Sequence, residues 1–113
     1  MRKPIALILL AVFVTMLLVA GPAVSKRRSV AVKDNYFVKS GSPRTVTVKK
    51  NATVVWKWQG MNPHNVTVTR GPVKFASRTK SSGSYRKKLT RRGTYKILCT
   101  VHAPSMRMTL KVK

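Results

Sequence analysis

From Lys26 to the C-terminus, apolar and polar residues alternate with a period of two. Val46 and Val48 are interleaved with Thr45, Thr47 and Lys49. Val54, Trp56 and Trp58 share one parity, with Lys57 and Gln59 on the other. Val66 and Val68 alternate with Asn65, Thr67 and Thr69. Tyr95, Ile97 and Cys99 alternate with Thr94 and Lys96. Met106, Met108, Leu110 and Val112 alternate with Arg107, Thr109, Lys111 and Lys113. Successive side chains of a strand point to opposite faces, so each run predicts a strand with one apolar face. The runs are short and rich in Val, Thr and aromatics. Turn residues separate them: Ser40-Gly41-Ser42-Pro43, Lys50-Asn51, Asn62-Pro63, Gly71-Pro72, Ser81-Ser82-Gly83-Ser84 and Arg92-Gly93. No helical stripe, internal repeat or linker interrupts them. The pattern predicts an all-β sandwich or barrel.

The first 25 residues follow a different pattern. Met1-Arg2-Lys3 is a positive head, and Ile5 to Ala20 is an uncharged apolar run. Gly21-Pro22 breaks the run, and Ala23-Val24-Ser25 places small residues where a cleavage site needs them. This layout predicts a secretory signal peptide over residues 1–25. The alternative is an uncleaved anchor that would keep the protein at a membrane, although the run is slightly short for a full span. No cysteine follows the run to carry a lipid, and Arg27-Arg28 lies after it, where it is no twin-arginine signal. The expectation is export of the unfolded chain to the periplasm, the cell envelope or the exterior, with any cofactor acquired there. Residues 26–113 then form one small, monomeric domain.

Charge narrows the choice of partners. The chain has 24 Lys and Arg against a single acid, Asp34, for a net charge of +23. Only Arg2 and Lys3 of these cations lie before residue 26. Self-repulsion on this scale opposes compaction, so the core and any bound metal must offset it. The cations are spread singly or in pairs, which describes a positive surface rather than a basic arm. With an export signal, nucleic acid is the weakest partner. An acidic protein or an anionic envelope surface fits better.

The chemistry gathers in one stretch. Cys99 is the only cysteine, so no intramolecular disulfide is available. His102 and Met106 follow it as Cys-x₂-His-x₃-Met, and His64 is the only other histidine. Parity directs His64, Cys99 and Met106 to the interior side, where they and His102 could meet at one end of a sandwich. His64 has the parity of Val66 and Val68, Cys99 that of Tyr95 and Ile97, and Met106 that of Met108 and Leu110. Each lies at a strand end and faces inward. Two imidazoles, a thiolate and a thioether describe a blue-copper electron-transfer site, with His₂Cys in a plane and a weak axial Met. Soft sulfur favours Cu(I) and imidazole serves both oxidation states, so little need move when the charge changes. Zinc could also take His₂Cys, but the methionine argues for copper. Met61 and Met108 read as packing residues, and Trp56 and Trp58 as core and site-end packing.

Residues from about Val30 to Lys113 resemble the plastocyanin/azurin group of cupredoxins. Asn62-Pro63-His64-Asn65-Val66 is similar to that family's segment around its first ligand. Gly93-Thr94-Tyr95-Lys96-Ile97-Leu98-Cys99-Thr100-Val101-His102 is similar to its Gly-x-Tyr-x-x-x-Cys-x-x-His segment, and Met106 falls at the axial methionine. The resemblance implies a Greek-key sandwich of about eight strands. It implies one type 1 copper ion held by His64, Cys99, His102 and Met106, with Asn65 bridging the two ligand-bearing loops. It also implies that His102 protrudes through an apolar patch, here Met61, Pro63, Ala103 and Pro104. Two features depart from the family. Lys49-Lys50-Asn51 replaces a turn that often carries Gly or Asp, and the charge is more positive than such proteins lead one to expect.

The expected function is that of an exported carrier of single electrons. One rival reading is copper binding and delivery in the envelope. Another is a metal-free cationic module for anionic polymers or lipid. A nucleophilic enzyme is not expected, because the one acid, Asp34, is taken to supply no carboxylate near the site to orient a Cys–His pair.

Overall fold

A computed structural model describes residues 26–38 and 44–113. The signal-peptide reading and the Ser40–Pro43 turn therefore lie outside the described residues. Eight strands form two four-stranded sheets. They are β1 (Arg27–Lys33), β2 (Tyr36–Phe37), β3 (Arg44–Val48), β4 (Thr53–Trp58), β5 (Thr67–Arg70), β6 (Ser84–Lys88), β7 (Gly93–Leu98) and β8 (Arg107–Val112). One sheet runs β2-β1-β4-β6 and the other β3-β8-β7-β5. The pairs β1/β4 and β3/β8 are parallel, and the rest are antiparallel. Strands distant in sequence thus become neighbours, the Greek-key crossover that a sandwich of this size uses.

Alternation carries the core. Val46, Val48, Val54, Trp56, Trp58, Tyr95, Ile97, Met108, Leu110 and Val112 all lie in one buried cluster with Val30, Val32, Phe37 and Leu89. Their neighbours Thr45, Thr47, Lys57, Thr94, Lys96, Arg107 and Lys111 are exposed. Val55 breaks the rule: it is buried yet stands outside the core cluster, between Ser29 and Arg86 on the flanking strands.

Three strands lacked a clear periodic signal. In β6 (SYRKK) Tyr85 is the one apolar residue, and β2 is two residues long. Both are edge strands held by their ladders with β4 and β1. The charges of Arg86, Lys87 and Lys88 guard one of those edges. β1 supplies Val30 and Val32 to the core through a six-residue parallel register with β4. The strand β6 also begins at Ser84, inside the predicted Ser81–Ser84 turn. At the departing turn before β4, Asn51 adopts φ 74°, the left-handed conformation that Asn tolerates better than most residues.

Two corners fix where the site sits. β7 ends at Leu98, a single 3₁₀ turn covers Thr100–His102, and β8 starts at Arg107. At the same end of the sandwich the chain leaves β4, passes through residues 59–66 and enters β5. At the other end of β7, the hydroxyl of Tyr95 donates to the carbonyl of Arg91 at 2.7 Å. That bond has the form of a tyrosine corner in Greek-key sandwiches.

Candidate metal centre

Cys99 follows directly on β7, so the inward parity of Tyr95 and Ile97 carries its side chain to full burial. The residues after it close a compact loop on themselves. The Cys99 amide donates to the carbonyl of Met106 at 2.9 Å, and the His102 and Met106 amides donate to the carbonyls of Cys99 and His102 at 3.2 Å each. The hydroxyl of Ser105 adds a bond to the His102 carbonyl at 3.0 Å. These bonds set His102, half-buried, on the outer side of the loop. Met106 is fully buried just before β8.

His64 arrives from the other sheet's exit. Its backbone forms a two-bond bridge with Lys80, at 3.0 Å in each direction. The indole of Trp58 donates to the His64 carbonyl at 3.2 Å. The imidazole is wholly buried. Its Nδ1 lies 3.9 Å from Cys99 Sγ, and His102 Nδ1 lies 3.8 Å from the same sulfur. All three donor atoms fall within 4.8 Å of one another.

The donor set fits a copper ion. An ion ~2.0–2.3 Å from each of three donors in a plane sets those donors roughly 3.5–4 Å apart. Both sulfur–nitrogen separations lie in that range. The donors are the softness that copper selects: one thiol and two imidazoles, with the thiol and His64 fully buried and His102 half-buried. The Cys99 sulfur also receives the backbone N–H of Asn65 at 3.5 Å, the sort of contact that tunes a metal thiolate.

Asn65, 4 % exposed, ties the two segments together. Its Nδ2 donates to the hydroxyls of Thr79 at 3.0 Å and Thr100 at 2.7 Å. Its Oδ1 accepts from the Thr100 amide at 3.1 Å and the Thr67 hydroxyl at 2.9 Å. Met61, read both as a packing residue and as part of the patch around His102, is 86 % exposed and so does not pack, and Pro63, Ala103 and Pro104 are also exposed. Val101, half exposed beside His102, was not singled out from the sequence.

The expectation that Asp34 leaves the site without a carboxylate is wrong. Asp34 Oδ1 lies 2.9 Å from His64 Nε2. The turn between β1 and β2 brings it there across 30 residues, a juxtaposition that no local spacing encodes. The carboxylate also accepts the amides of Met61 (3.0 Å) and Asn62 (2.9 Å). The His64 hydrogen bond, followed by those two amides, lowers the Asp34 pKa from 3.8 to about 2. An ionised carboxylate can only accept, so Nε2 carries a proton and donates to Asp34, while Nδ1 faces Cys99.

Fold and donor set together define a copper-binding β-sandwich. Residues 28–113 match the copper-binding proteins of the plastocyanin/azurin family, and the chain belongs to that family. No curated protein matches the sequence. Among solved structures, the chain is similar to the copper-containing nitrite reductase from Thermus scotoductus SA-01. That match has a TM-score of 0.67 and 21 % identity over 86 % of this chain, and it spans only 25 % of the reductase. It is also similar to an oxidized methionine-to-leucine variant of amicyanin, with a TM-score of 0.61 and 24 % identity over 76 % of this chain and 81 % of that one. The copper(I) form of another amicyanin variant gives 0.62 and 24 % over 80 % and 86 %.

Proposed function

We propose that this protein is an exported one-electron carrier. Copper would be held by His64 Nδ1, Cys99 Sγ and His102 Nδ1, with Met106 as the weak axial ligand. The observation that carries this reading is the burial gradient at the site. Cys99, His64 and Met106 are fully buried, and His102 alone of the four reaches the surface. When bound, copper supplies the Cu(I)/Cu(II) couple. The chain supplies three donor atoms within 4.8 Å of one another, a largely buried surround, and a single imidazole edge as the route for the electron. Met61, Pro63, Val101, Ala103 and Pro104 flank that edge as a small apolar contact patch. Such a patch suits a brief, weak encounter.

Asp34 beside His64 supplies the carboxylate that a Cys–His nucleophile would need. Cys99, His64 and Asp34 do form a relay of contacts. The thiol and the His64 imidazole are fully buried, which supports an electron carrier over an enzyme using Cys99 as a nucleophile.

The positive surface would steer an acidic redox partner, so the rate of electron transfer should fall steeply with ionic strength. A flat profile would remove the steering. The test of the centre itself is the visible spectrum of the mature domain with Cu(II), beside Cys99→Ser. An intense blue band, bleached by reductant and missing in the variant, is the expected result. Faint colour equal in both proteins would overturn the reading and leave a cationic binding module. Rapid loss of blue copper to a chelator would instead indicate metal delivery.

A further inference from the structure

We propose that Asp34 is the positioning and charge-balancing residue of the copper centre: its carboxylate fixes the His64 ring with Nδ1 toward Cys99, and its negative charge favours Cu(II), lowering the reduction potential. This inference rests on the copper reading above. Three observations carry it.

The first is scarcity. Asp34 is the only acid in a chain of 113 residues with 24 Lys and Arg. Any lysine on the surface could have paired with it, yet its side-chain partner is His64. The second is convergence. Oδ1 accepts from Met61 N–H, Asn62 N–H and His64 Nε2–H at 2.9–3.0 Å, and Oδ2 takes a second approach from Met61 at 3.1 Å. The segment leading to His64 is therefore wrapped around one carboxylate. The third is close fit. A Cβ at Gly60 would lie 2.3 Å from Asp34 Oδ1 and 2.8 Å from the Asp34 amide nitrogen. Only glycine lets the segment approach that closely.

A histidine that donates its second ring N–H to a carboxylate is held in one tautomer and becomes a more basic ligand. The other imidazole, His102, has no such contact among the described residues. The two histidines are thus unequal: one is anchored through Asp34, the other free to meet a partner. A negative charge one imidazole away from the metal stabilises the more positive oxidation state, so its removal should raise the potential.

The experiment compares wild type, Asp34→Asn and Asp34→Ala. Asparagine keeps an oxygen for the three N–H donors and removes the charge. Alanine removes both. In the copper-loaded proteins, Asp34→Asn should keep the blue band and favour Cu(I) by about tenfold, a rise of about 59 mV. Asp34→Ala should also weaken copper binding by roughly 10–100-fold. In the metal-free proteins, nitrogen NMR of His64 should show a single Nε2–H tautomer in wild type and a mixture in Asp34→Ala. A blue wild type whose Asp34→Asn potential is unchanged would overturn the charge role. A metal-free Asp34→Ala with the wild-type tautomer would overturn the positioning role. Absence of blue colour in wild type itself would defeat the copper reading, and the NMR comparison would still decide the positioning role.

Discussion

The two segments that bring donors to the centre are built in opposite ways. Residues 99–106 largely hold themselves: the backbone–backbone bonds of the loop join Cys99, His102 and Met106 to one another, and Asn65 holds it from outside at Thr100. Residues 60–65 hold almost nothing of their own. Asp34, Trp58, Lys80, Thr79 and Thr100, from four other parts of the chain, fix them in place. A self-closed loop can be shaped by a few neighbouring residues. A loop held from outside depends on the whole sandwich having formed. Removing a local bond should loosen one residue, whereas removing an external one should release the segment.

The largest test of this contrast is Asn65→Ala. It leaves the Thr100 amide and three hydroxyls without their shared partner, so the metal-free protein should lose about 2–4 kcal/mol in denaturant unfolding. Hydrogen exchange should quicken in both segments together. A loss confined to one of them would mean that Asn65 does not couple them. Gly60→Ala comes next. Its Cβ has no room beside Asp34, so roughly 1–3 kcal/mol of destabilisation is expected, with exchange faster around His64 and unchanged around Cys99.

Tyr95→Phe should cost about 1 kcal/mol at neutral pH by deleting the bond to Arg91. Burial raises the Tyr95 pKa above 10.0, opposed by the nearby Arg91 charge. The folded state therefore prefers the neutral phenol. The stability it contributes is complete below pH 10 and is lost as pH rises through the raised value. Thermal unfolding across the alkaline range should accordingly be less pH-dependent in the variant. Ser105→Ala is the smallest change. The loop keeps its backbone bonds, and the expected loss is about 0.5 kcal/mol, with the blue band unmoved. A large effect there would show that the loop is not self-sufficient.

The same contrast explains what could be read from the chain beforehand. The Cys99–Met106 segment was legible because its geometry follows from spacing and parity within a few residues. Parity also gave the inward faces of β3, β4, β7 and β8. The anchor of His64 was hidden. Asp34 sits in a turn with no periodic signal, and nothing within ten residues of it points to His64. An available hint was its singularity, since a lone carboxylate in so basic a chain is rarely idle. The strands β2 and β6 stayed hidden for a related reason: their stability comes from the ladder offered by β1 and β4, not from an apolar face of their own.

Committing the one acidic side chain to the His64 end of the sandwich leaves the outer cations with no acidic side chain to pair with. The medium has to provide their counter-ions. Added salt should then firm up the folded chain by gathering mobile anions around it, while the same salt would slow capture of the acidic partner proposed above. For this protein, endurance and speed would respond to ionic strength in opposite directions.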